Sequence, residues 1–92
     1  MPQFYLDVRE GSCFWPDAEG SEFADLDAAE HKATVVAVSI GQELLRNGSE
    51  RAVTVEVRDD QGQRVTEVTL TVTAETVIIK VARAMASRAL DA

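Results

Sequence analysis

Ala52-Val53-Thr54-Val55-Glu56-Val57-Arg58 is the stretch on which the fold turns. Val53, Val55 and Val57 fall on one face, and Thr54, Glu56 and Arg58 on the other. Period-two alternation of β-forming residues marks a half-buried strand. Asp59-Asp60-Gln61-Gly62 follows as a hairpin loop with glycine at its end. Val65 to Thr73 is the returning strand, with Val68, Leu70 and Val72 on the inner face and Glu67, Thr69, Thr71 and Thr73 on the outer one. Val65 has the wrong parity for that pattern, so a bulge is expected near Thr66.

Upstream of this hairpin the period changes. From Leu26 to about Asn47, the residues Leu26, Ala29, Ala33, Val36, Ala37, Ile40 and Leu44 recur at spacings of three and four. That is one apolar stripe of an amphipathic helix. Asp25 is placed to cap its first turn, and Asp27 suits the positive end of the helix dipole. Asn47-Gly48 is a stop signal. The three alanines let the helix sit close to a sheet, and Gly41 suggests a bend or a close contact.

Further upstream, residues 3–9 alternate again, with Phe4, Leu6 and Val8 opposite Tyr5, Asp7 and Arg9. Glu10-Gly11 reads as a turn. Ser12-Cys13-Phe14-Trp15 returns as a short strand that Pro16 stops. Residues 16–25 read as an acidic loop.

Downstream, Thr76-Val77-Ile78-Ile79 has strand propensity. Ile78, Val81, Ala82, Met85 and Ala89 nevertheless follow helical spacing, and Ala82 to Ala89 is rich in helix formers. The expectation is a second helix over 75–90, with Thr73 as its cap. The fold class is therefore α+β: a small, mainly antiparallel sheet of three or four strands with the long helix on one face, in the order β-β-α-β-β-α. Residues 1–73 form the core domain. Residues 74–92 form a C-terminal helix, either part of that domain or a dimerisation element. The open face of the sheet is lined by Tyr5, Thr54, Glu56, Thr69 and Thr71.

Ninety-two residues make one domain, with 46% of them apolar. The net charge is −7. An acidic domain repels phosphate backbones and anionic bilayers, which argues against nucleic acid and membrane surfaces as partners. The single cysteine, Cys13, suits a reducing compartment. The longest uncharged apolar-rich run, Ala33 to Gly41, is too short to span a bilayer. A cytoplasmic location is expected.

Several of these residues together carry a resemblance. They are the opening strand with Asp7, the Gly11 turn, Pro16-Asp17-Ala18-Glu19-Gly20, Asp25-Leu26-Asp27-Ala28-Ala29, and Val55-Glu56-Val57-Arg58-Asp59 with Gly62. The chain resembles a family of short alphaproteobacterial proteins that carry a domain of unknown function. Its pattern opens M-P-x-[YF]-[YF]-F-D-x-[RH]-[DE]-G and continues P-D-x-E-G and D-L-x-x-A. The resemblance covers roughly residues 1–73, with Leu6 where the pattern has Phe. It implies a small α+β domain and transfers no catalytic or binding residue.

Four features invite chemistry. Asp7, Asp17, Glu19, Glu22 and Asp25 offer oxygen ligands for a hard cation. The spacing does not fit an EF-hand, however, and turn and capping roles account for the residue types. His31, with Asp27 one turn earlier, has the makings of a base but lacks a marked partner. Cys13 sits in acidic surroundings, which disfavour a thiolate, so a buried or half-buried structural role is expected. Phe14 and Trp15 either close the core or form an aromatic patch.

No phosphate-binding glycine loop or zinc-ligand spacing is present. The expected function is a small acidic protein-interaction or regulatory domain. It is not expected to be an enzyme and needs no cofactor, and its partner is a protein or a second copy in a homodimer. The candidate interface residues are Phe14, Trp15, Ile78, Ile79, Val81 and Met85. Ile78, Ile79, Val81 and Met85 exceed what the core needs, and surplus apolar surface marks an interface. An antitoxin-like inhibitor of a basic protein and an acidic-loop cation binder are the alternatives.

Overall fold

The computed structural model describes residues 1–48, 51–73 and 76–84. Among these residues it is an α+β fold of one helix on one six-stranded antiparallel sheet. The strands are β1 (Gln3–Glu10), β2 (Cys13–Trp15), β3 (Ser21–Glu22), β4 (Arg51–Arg58), β5 (Arg64–Val72) and β6 (Val77–Arg83). The helix, α1 (Leu26–Arg46), falls between β3 and β4. The main path across the sheet is β2-β1-β4-β5-β6, and β3 pairs with the start of β1.

The central hairpin has the expected faces. Val55 lies opposite Val68, and Val53 opposite Leu70, all buried under α1. The register shifts at Val57 and Arg58, where Val57 pairs with Thr66 but Arg58 with Arg64. Val65 is the extra residue, and the bulge restores Thr66, Val68, Leu70 and Val72 to the inner face. Asp59 shapes the loop, its Oδ1 accepting the N–H groups of Gln61 and Gln63. Gly62 there takes a φ of 82°, a left-handed value that glycine adopts without strain.

The helix begins where the cap residue requires. Asp25 accepts the Ala28 N–H through Oδ1 at 2.9 Å. Ala29, Ala33, Ala37, Gly41 and Leu44 are its buried line. A methyl group on Gly41 would stand 2.6 Å from Leu70 Cδ2, so the helix rests there by its backbone on a leucine of the sheet.

Three expectations are corrected. Residues 77–83 form strand β6, not part of a second helix, and the element order among the described residues is β-β-β-α-β-β-β. Val77, Ile78, Ile79 and Val81 are β-branched, and β5 offers a full ladder from Thr66 to Val72 for them to pair with. Thr73 bonds Thr76 instead of capping a helix: its N–H donates to the Thr76 carbonyl, and its Oγ1 accepts the Thr76 N–H. The sheet thereby has six strands where three or four were expected.

The second correction is that the acidic loop contains β3. The third is Cys13, which is exposed, because the three-residue β2 runs along the sheet edge with all its residues open to solvent. Met85 and the remainder of the expected helix lie outside the described residues.

Candidate functional site

Asp7, Asp17, Gly20 and Arg58, four of the residues that carry the family resemblance, meet on the face of the sheet opposite α1. Asp7 on β1 and Arg58 on β4 form a forked ion pair. Arg58 Nε donates to Asp7 Oδ2 at 2.6 Å, and Nη2 to Oδ1 at 3.1 Å. Arg58 Nη2 also donates to the Asp17 carbonyl, and the Asp17 N–H donates to Asp7 Oδ1 at 2.8 Å. The guanidinium lies over the Tyr5 ring, 4.9 Å from its centroid.

Asp17 in turn folds the loop onto β1. Its Oδ2 accepts the Leu6 N–H, and its Oδ1 accepts the N–H groups of Glu19 and Gly20. Gly20 has a φ of 71°, and a methyl group there would lie 2.7 Å from Tyr5 Cε2. The motif glycine is thus required by both backbone conformation and space.

All four carboxylate oxygens of Asp7 and Asp17 therefore already accept protein donors. Burial raises the Asp7 carboxyl, but the Arg58 fork and the Asp17 N–H outweigh it and hold the group below its ordinary range. Asp17 is lowered likewise, its three backbone donors overcoming desolvation. Glu56, next along the same row, is buried between Arg9 at 3.8 Å and Arg64 at 3.5 Å. This constellation is a structural lock.

The other residues singled out from sequence are dispersed. Glu19 and Glu22 are exposed in the loop, and Asp25 is a cap. His31 is exposed on α1, in the other layer from Asp7. Among the described residues, no three His, Cys, Asp or Glu side chains gather as a metal would need. No helix among them is long and apolar enough to cross a membrane.

The candidate interface residues divide between the two edges of the sheet. Phe14 and Trp15 lie on β2 at one edge, both exposed and pointing to opposite faces by alternation. The Arg9 guanidinium covers the Phe14 ring at 4.5 Å. Ile78, Ile79 and Val81 lie on β6 at the other edge, with Val77, and all four are 43–56% exposed. Val77, Ile79 and Val81 point toward the helix layer, opposite Val72, Leu70 and Val68 of β5. A groove of about 260 Å³ runs there between β6 and the last turns of α1, with Val38 and Leu45 on the helix side and Val77 and Ile79 on the strand side.

Backbone direction makes this edge usable. The Ala84 N–H donates to the Val65 carbonyl, and the Thr76 carbonyl accepts from Thr73. Even-numbered positions thus face β5, and by strand alternation the N–H and C=O groups of Val77, Ile79 and Val81 face outward. Among the described residues, no strand pairs with that side.

One element not legible in the sequence fixes β6 to the helix. Arg83 grips Glu30 with Nε at 2.8 Å and Nη2 at 3.0 Å, and also bonds Asp27. Glu30 Oε2 further accepts the hydroxyl of Thr66, which is buried. The Arg83 bonds dominate in holding the Glu30 carboxyl below its usual range.

The family described as Domain of unknown function (DUF6894) matches residues 3–71, and the chain belongs to it. No curated protein and no solved structure matches it significantly. The match takes in the whole Asp7–Asp17–Arg58 lock and ends before β6.

Proposed function

We propose that this family member is a non-catalytic interaction module that binds protein by strand addition to β6. The observation that carries the reading is the outer edge of β6, where outward-facing backbone groups coincide with four exposed apolar side chains. Edges of this kind are normally blunted by charge, proline or a bulge, because they template pairing with another chain. Here Lys80 is the one charge among Val77, Ile78, Ile79 and Val81. An added strand satisfies the backbone groups, while alternate side chains meet the groove.

The same reading accounts for the titratable groups. Asp7, Asp17 and Glu30 engage their oxygens with backbone, arginine and threonine donors. These are positions that a fold uses to hold itself together.

The test compares tagged wild-type protein with an Ile79→Pro variant in pull-downs from the native host. The Ile79 N–H faces outward, so proline removes a donor from the edge and leaves the ladder to β5 intact. Species retained by the wild type and lost by the variant, the chain itself included, are the expected result. Identical retention by both proteins overturns the reading.

A further inference from the structure

We infer that the strand added to β6 is the β6 of a second copy, running antiparallel about a two-fold axis through Ile79. This rests on the proposed role of β6 as an interaction edge and names its partner.

The pattern of the strand selects both partner and register. A two-fold axis at Ile79 places Val77 opposite the partner's Val81 and Ile79 opposite the partner's Ile79. These are the positions whose backbone groups face outward, so each meets a hydrogen-bonding counterpart. Their side chains all lie on the helix-facing side and continue the buried rows of Val72, Leu70 and Val68. Leu45, also exposed, stands over this row at the groove and gains cover from the same approach. One strand thus supplies both halves of a self-complementary patch, as an isologous contact requires.

Charge excludes the neighbouring register. Centring on Lys80 would set two ammonium groups face to face, which is destabilising for directly opposed residues. Centring on Ile79 sets each Lys80 beside the partner's Ile78, whose side chain covers its methylene stem. The other cation of the strand, Arg83, is already paired with Glu30 and Asp27. No carboxylate is carried by residues 76–84, so the two strands bring no pair of acids face to face, while each copy as a whole carries a net −7. Repulsion between the acidic bodies is long-range and screened by salt, so raising the salt concentration tightens the dimer. A basic protein on this edge would respond in the opposite sense.

The experiment is light scattering on purified full-length protein across concentration and salt, joined to isotope-filtered NMR on a mixed labelled and unlabelled sample. The expected mass rises from the 10.0 kDa of one chain to twice that. The expected intermolecular signal joins the Ile78 Hα to the Lys80 Hα of the partner subunit. Ile79→Lys, which stacks two charges on the axis, returns the mass to that of one chain. Ile79→Pro does the same, with circular dichroism confirming that both variants fold.

A monomeric wild type at millimolar concentration overturns the second copy as partner. If the pull-down still loses a different protein with Ile79→Pro, the interaction module stands with another partner. A dimer showing a Lys80–Lys80 contact, or one indifferent to both substitutions, overturns the Ile79-centred pairing.

Discussion

Asp7 and Arg58 meet 2.6 Å apart although 51 residues separate them in the chain. Strand β1 pairs with β4 so that Asp7 faces Glu56 and Tyr5 faces Arg58, which leaves Asp7 and Arg58 diagonal on one face. The loop bearing Asp17 then closes over both. One ion pair thereby joins the start of the chain, the acidic loop and the central hairpin.

Substitution at this pair is expected to cost more than a surface ion pair. Asp7 is 3% exposed, so Asp7→Asn leaves the Arg58 fork half-satisfied in a site with little water. A loss of about 2–3 kcal/mol follows from the strength of charge-assisted bonds and the penalty for a stranded partner. Arg58→Lys is expected to recover little of it, since an ammonium cannot span both Asp7 oxygens and the Asp17 carbonyl together. Urea unfolding midpoints for the two variants check this, and a midpoint within error of wild type for Asp7→Asn would count against the lock.

The pH dependence has a definite sign. Asp7, Asp17 and Glu30 are all held below their ordinary values in the folded protein. The unfolded chain therefore takes up protons first as pH falls. The stability these groups contribute is fully present above the unfolded value of about 4 and is lost as pH drops through the lower folded values. The expected profile is flat near neutrality and falls below about pH 4. In Asp7→Asn the acid slope should be shallower, because one linked proton has gone.

Gly41 tests the helix–sheet contact. In a free helix, Gly→Ala is favourable by about 1 kcal/mol. Here the new methyl meets Leu70 Cδ2 at 2.6 Å, so Leu70, which is buried in the core, must shift to admit it. Overpacking of this kind costs about 1–3 kcal/mol, so Gly41→Ala is expected to destabilise on balance. Leu70→Val withdraws the obstructing end of the side chain. The double variant should therefore be more stable than the sum of the two single effects, and thermal unfolding of all four proteins measures that coupling.

Much of this fold is legible in the sequence, and the exceptions share a cause. The β4–β5 hairpin, the bulge at Val65, the Asp25 cap and the close contact at Gly41 are set by neighbours in the chain or by a single residue type. The Asp7–Arg58 pair is invisible to spacing, because only the register of two distant strands brings it about. The carboxylates therefore suggest a cation loop when read alone. Strand β6 reads as helix in the sequence because Ile78, Val81 and Ala82 satisfy a three-to-four spacing. The ladder supplied by β5 decided in favour of the β-branched residues. Cys13 and Trp15 depended on how far the helix covers the sheet edge, which no local pattern specifies.

Arg83 is the point at which β6 is fixed to the helix. The strand exposes most of its side chains and gains little from burial, so its docking depends on the β5 ladder and on the fork to Glu30. Arg83→Ala is expected to leave the β1–β5 core folded while opening β6. Amide exchange at Ile78 and Lys80, whose N–H groups face β5, should accelerate at least tenfold, while Val55 and Val68 remain protected, since local opening and global unfolding are separate events. Glu30→Ala strands the Thr66 hydroxyl as well, inside the core, and should cost a further 1–3 kcal/mol or so of global stability. If Arg83→Ala instead speeds exchange in β6 no more than in the rest of the sheet, then β6 opens only with the whole domain and is not separately anchored.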